Sequence, residues 1–126
     1  MRRAHEVGVT LLAGTDLGVS LVYPGSSVHE ELRLLVDEAG LTPLEALRAA
    51  TIVPARVMRL SDSLGSIEPD HVADLVLLNA DPLVDIRNSS RISAVVLGGR
   101  LLTQANLDAL LAEAERIARA SSGPGR

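Results

Sequence analysis

Cysteine is absent from the 126 residues. That excludes a disulfide framework, a thiol nucleophile and a zinc–thiolate site built by this chain. Lysine is absent too: all 12 basic residues are Arg. A Schiff-base lysine, a P-loop lysine and a lysine-bridged metal pair therefore cannot come from this chain. Aromatic residues make up 1%, with Tyr23 alone and no Phe or Trp. The core has to be Leu, Val, Ile and Ala rather than anchored on rings, which fits a piece of a larger protein and equally an Ala/Arg/Leu-rich source. No apolar run approaches the roughly 20 residues of a membrane helix. The Arg2-Arg3 start is soon followed by Glu6 and precedes no long apolar stretch, so it does not read as a signal peptide. The protein is expected to be cytoplasmic.

What is present is the composition of a globular domain. Hydrophobic residues at 47% and charged ones at 22% argue against disorder. The length allows one ordinary domain. A formal net charge of −4 argues against a basic nucleic-acid-binding surface.

Along the chain, residues 2–7 read as a helix end. Val7 to Ala13 is a short, nearly continuous apolar run closing on Gly14-Thr15-Asp16. Such a run predicts a strand buried on both faces, a feature of parallel sheets. Leu17 to Ser26 is rich in Gly and Ser and reads as a loop long enough to be functional. Ser27-Val28-His29-Glu30 has the spacing of a capping box, and Thr42-Pro43-Leu44-Glu45 repeats it with Pro at the first helical position. Between them Leu32, Leu35, Val36 and Ala39 form one apolar stripe, which Gly40 ends. Helices are expected over 43–51 and, opening at Pro54, over 54–59. Residues 61–69 are turn-rich, and Ala73 to Leu78 reads as a buried strand. Residues 94–102 read as a β-hairpin turning on Gly98-Gly99. Leu107, Leu110, Leu111, Ala114, Ile117 and Ala118 form the stripe of a last helix, with a frayed tail from Ser121. Two parts result: 1–60, strand plus helices, and 61–126, hairpin plus helix. The lone strand of the first part has no evident partner, and unpaired buried backbone is costly.

Asp16 is the leading candidate for chemistry. It follows an apolar strand, and in parallel α/β architectures the C-terminal strand ends hold the active site. A carboxylate there can ligate a metal or move a proton. The residues leave a plain turn cap open as well. His29, in the first turn of a helix after a long loop, is a candidate substrate contact or a tucked-in surface His. His5 reads as a surface residue and His71 as solvated; the three His show no metal-ligand spacing. Tyr23 either lines a pocket or anchors its loop. The pairs Glu30/Glu31 and Asp37/Glu38 read as the wet face of their helix.

An ordered series of short motifs runs through nearly the whole chain. It comprises Leu11-Leu12-Ala13-Gly14-Thr15-Asp16, Pro24-Gly25, His29 with Glu31-Leu32, and Ala39-Gly40-Leu41-Thr42-Pro43-Leu44-Glu45-Ala46-Leu47-Arg48-Ala49-Ala50-Thr51. Pro54-Ala55-Arg56-Val57, Leu64-Gly65-Ser66-Ile67-Glu68-Pro69, Ala73-Asp74-Leu75-Val76-Leu77-Leu78, Asp81-Pro82-Leu83 and Gly99-Arg100 follow. The series resembles the C-terminal third of the metal-dependent amidohydrolase superfamily, in its imidazolonepropionase-like and Xaa-Pro-dipeptidase-like branch.

The resemblance implies an α/β fold. It would be the C-terminal fragment of a (β/α)₈ TIM barrel plus part of a small β-sandwich and a C-terminal helix. Residues 8–13 would be the last barrel strand, and residues 61–102 would carry sandwich strands. It implies one or two divalent metals, usually zinc, activating water against an amide-type or ring C–N carbon of a small molecule. Asp16 would be metal ligand and proton shuttle, and His29 would lie by the substrate. The remaining ligands would sit on an N-terminal barrel portion, present in cis or in trans, so this chain alone would hold no metal and be inert. Asp70-His71 replaces the usual Gly-Lys, and Val53 the usual helix-capping Asn before Pro54. Two other classes stay open: a subunit completing a split barrel, and a non-catalytic interaction module.

Overall fold

The computed structural model describes residues 1–16 and 25–121, with side chains through residue 120. Most of the expected Leu17–Ser26 loop, Tyr23 included, lies outside the described residues, as does the tail past Ser121. The helices are α1 (Arg2–Glu6), α2 (Ser27–Asp37), α3 (Pro43–Ala50), α4 (Ile52–Val57) and α5 (Gln104–Ser121), with a 3₁₀ helix at Ile86–Ser90. The strands are β1 (Leu75–Leu78), β2 (Ile92–Leu97) and β3 (Arg100–Thr103). They sort into two compact units: residues 1–72 with 78–91, and residues 73–77 with 92–126.

In the first unit the predicted stripe of α2 is the core. Leu35 is 1% exposed and Ala39 fully covered, with Leu32 beside them. Gly40 ends the helix at φ +80°, which lets the Leu41 N–H reach back to Leu35 O at 3.1 Å. Buried Leu41 then leads into α3. There Thr42 and Glu45 form the expected reciprocal cap: Glu45 N–H donates to Thr42 Oγ1 at 3.3 Å, and Thr42 N–H to Glu45 Oε2 at 2.7 Å. Ala46 and Ala49 offer little more than a methyl each, so α3 lies close against the core, and Ile86 of the 3₁₀ helix completes it.

The box predicted at Ser27 does not form. Ser27 is already the first helical residue, and the N-cap, Ser26, makes no side-chain cap hydrogen bond. The Glu30 carboxylate is taken by Arg33, whose Nε donates to Glu30 Oε2 at 3.0 Å while its Nη1 donates to Asp37 Oδ2 at 2.7 Å. A charged fork is a stronger partner for a carboxylate than a backbone amide. Helix α4 begins at Ile52, two residues before the expected Pro54, which sits in the first turn where its missing N–H is not needed.

Residues 8–13 depart most from expectation. They form no strand, and residues 9–16 carry no regular secondary structure. Burial alternates instead: Leu11, Ala13 and Thr15 are half-buried, whereas Leu12 (42% exposed), Gly14 and Asp16 face outward. Leu11 and Ala13 pack on the α2–α3 core, and the Ala13 N–H donates to Ala49 O at 3.0 Å. The segment is buried on one side rather than two. A ladder needs a neighbouring strand, and among the described residues the only sheet holds β1, β2 and β3.

The second unit contains the predicted hairpin. β2 and β3 pair antiparallel with Leu97 opposite Arg100 and Ala94 opposite Thr103. Gly98 and Gly99 turn it at φ +55° and +80°, the double left-handed geometry that closes a two-residue hairpin. β1 is shorter than the expected 73–78 and is not buried, since Val76 and Leu77 are exposed. It is an edge strand with a single neighbour, β2. α5 packs on β2 and β3, and it includes Ser121, where a frayed tail was expected to begin. Its Leu110 and Leu111 are exposed. The molecule is thus mixed α/β: helices with a small three-stranded sheet.

Candidate functional site

Asp16 stands at the end of the extended segment, exposed, with φ +52°. A non-glycine residue in the left-handed region is uncommon, though Asp tolerates it better than most. The alternation along 11–16 is what turns its carboxylate away from the helical core. Thr15, on the inward side, lines a cavity of about 580 Å³ beneath the N-terminal end of α2.

Of the two predicted site residues, His29 lines this cavity, whereas Asp16 faces outward and is not part of its lining. His29 is half-buried, and burial holds its imidazole below its ordinary pKa, favouring the neutral ring. Its Nδ1 lies 3.1 Å from Ser89 Oγ. Ser89, on the 3₁₀ helix, is only 5% exposed.

Arg33 and Arg87 also line the cavity, but both guanidiniums are matched locally. Arg33 is forked between Glu30 and Asp37, and Arg87 Nε donates to Asp85 Oδ1 at 2.9 Å. The hydrogen bond from Arg33 holds the Glu30 carboxyl below its usual range, and that from Arg87 does the same for Asp85. Beside these the cavity presents the Glu31 carboxylate, hydroxyls from Thr15, Ser26 and Ser27, and one neutral imidazole, while the Ser90 hydroxyl donates to Arg87 O at 2.9 Å.

The other two His lie elsewhere. His5 is half-buried rather than a surface residue, and lines a smaller cavity with Glu45 and Arg48. His71, expected to be solvated, is half-buried too, its Nδ1 3.3 Å from Ser66 Oγ. Among the described residues no three His, Asp or Glu side chains converge as a metal site would require. Ser89 and Arg87 escaped sequence reasoning. The His29–Ser89 contact joins residues 60 apart, and no local pattern announces it.

The profile of the amidohydrolase family matches residues 1–102. The chain is 34% identical over 102 residues to ochratoxinase of Aspergillus niger, which covers 78% of this chain and 20% of that enzyme. It is 33% identical over 108 residues to imidazolonepropionase of Geobacillus kaustophilus, covering 80% of this chain and 24% of that one. Among solved structures, a Xaa-Pro dipeptidase with bound methionine in the active site superposes with a TM-score of 0.72 at 34% identity, over 81% of this chain and 24% of that chain. The chain thus spans about a fifth to a quarter of the length of these relatives. With four-fifths of its residues inside the family profile and solved relatives sharing its fold, the chain belongs to the amidohydrolase family.

Proposed function

We propose that this chain is the C-terminal portion of a hydrolase that cleaves an amide-type C–N bond of a small molecule, with Asp16 as the carboxylate that handles the proton. The observation that carries the proposal is the exposed Asp16 at φ +52°, ending an extended segment whose other side is packed on the helices. Residues 8–13 would be the last strand of a (β/α)₈ barrel, and the side bearing Leu12 and Asp16 would face the barrel interior. In that fold active sites gather at the C-terminal strand ends.

A bound divalent metal, zinc by resemblance, would supply activated water to such a site. The described residues do not fit a complete metal site, because Asp16 is a single carboxylate and a catalytic zinc takes about three protein ligands. The other ligands would belong to the N-terminal barrel portion, in cis or in trans, and the chain alone would be inert. This chain's own contribution is then twofold. Asp16 accepts a proton from the attacking water and returns it to the departing nitrogen. His29, its ring kept neutral by burial, contacts the substrate, a role that the family resemblance supports. The relatives include a Xaa-Pro dipeptidase and an imidazolonepropionase, which supports a C–N bond, rather than one compound, as the substrate class.

The test is Asp16→Asn in the whole protein, assayed with dipeptides, cyclic amides, ureas and N-acyl amino acids. The expected result is a fall in kcat of about 10²–10⁴, the usual share of a proton-transfer group, with an unchanged melting temperature. A near-normal rate would reduce Asp16 to a turn residue. A second reading, a subunit that completes a split barrel, is equally compatible with the one-fifth coverage of the relatives. Co-purification with a separately encoded barrel portion would distinguish it from a single polypeptide.

A further inference from the structure

Resting on the reading of His29 as a substrate contact, the geometry points to Ser89 as a positioning residue. It fixes His29 in the Nε2–H tautomer and so presents a neutral N–H donor to an oxygen acceptor in the cavity, a carboxylate or an amide carbonyl. Ser89 belongs to the 3₁₀ helix, 60 residues from His29, and is 5% exposed. A hydroxyl has one proton to donate, and a buried donor without an acceptor is costly. Among the described residues, the one recorded partner of Ser89 Oγ is His29 Nδ1, at 3.1 Å. Were Nδ1 protonated, the imidazole would donate to Ser89 and the serine's own proton would be stranded. With Nδ1 bare, Ser89 donates, both groups are satisfied, and the ring proton sits on Nε2.

The supporting frame is rigid. Ile86, three residues before Ser89, lies in the hydrophobic core with Leu32 and Leu35 of α2, three and six residues beyond His29. The two helices are therefore clamped together by apolar packing, and the Ser89–His29 bond is made between already fixed backbones. Burial of His29 favours the uncharged ring, in keeping with a neutral donor. This is the arrangement in which a hydrogen bond to one ring nitrogen decides what the other can do.

Long-range ¹H–¹⁵N correlation of the imidazoles in the complete protein, at pH 7.5, tests the inference directly. The expected spectrum shows His29 Nε2 protonated and Nδ1 bare. A protonated Nδ1 overturns the assignment of Ser89 as donor, whatever any variant does. Ser89→Ala, which removes only the hydroxyl, is expected to mix the tautomers; an unchanged Nε2–H population would deny Ser89 its role. His29→Gln separates this from the functional reading. With the substrate found in the panel above, it is expected to raise KM about two- to tenfold, the worth of one hydrogen bond, with kcat little changed. An unchanged KM would overturn His29 as a substrate contact while leaving the tautomer result to stand alone.

Discussion

At Gly65 one carbon atom separates a fit from a clash. The residue has φ +92°, and a Cβ there would lie 2.8 Å from Ala55 Cβ and 2.9 Å from Ile52 Cα, both in α4. Neither neighbour is the tip of a flexible chain. Gly65→Ala is therefore expected to destabilise the protein by about 1–3 kcal/mol, read from urea denaturation, and a neutral effect would mean that the 61–69 turn does not lie on α4. His29 makes a prediction of direction. Burial lowers its folded pKa below the ordinary 6.5, so the unfolded chain binds more protons in that window. Its contribution to stability is present above that window and is lost as pH falls through it. An NMR titration of His29 is expected to have its midpoint below 6.5, and a midpoint at or above it would contradict the burial. At this scale the sequence made Asp16 and His29 visible through their places after an apolar run and a loop. It gave no sign of Ser89, because a contact across 60 residues has no local period.

Two segments of like spelling, one Ser-x-x-Glu and one Thr-x-x-Glu, behave differently as helix starts. Thr42 and Glu45 cap each other, and the Thr42 backbone amide chiefly holds the Glu45 carboxyl below its usual range. That stabilisation is present at neutral pH and disappears as pH falls through the lowered folded value. Thr42→Ala is expected to cost about 1 kcal/mol. Ser27→Ala, at the helix start with no box, is expected to stay within about 0.5 kcal/mol of the parent, a difference that paired thermal melts resolve. Equal losses would mean that both boxes form. The motif was equally legible at both places; Arg33, within reach of Glu30, decided between them. The hairpin, by contrast, was readable outright, since Gly98-Gly99 suits a left-handed two-residue turn and little else.

For the whole molecule the informative surface is the outward side of residues 9–16. As described, Leu12 is 42% exposed, and a polar replacement there would change stability by no more than about 0.5 kcal/mol. Further barrel strands covering this side would bury it. In the full-length protein Leu12→Asp is then expected to cost at least about 2 kcal/mol, because an unpaired carboxylate would enter an apolar layer. An unchanged melting temperature would remove the proposed covering.

What the amino-acid order determined by itself is whatever depends on neighbours within about four residues: the stripe of α2, the stop at Gly40, the Thr42 cap and the hairpin turn. The family, too, was carried by ordered local motifs, and the profile match over residues 1–102 agrees with it. Tertiary structure alone decided which side of residues 11–16 is covered, which carboxylate Arg33 claims, and which hydroxyl meets His29. Those outcomes turn on the free energy of desolvating and pairing groups distant in sequence, and periodicity along a chain carries no record of that.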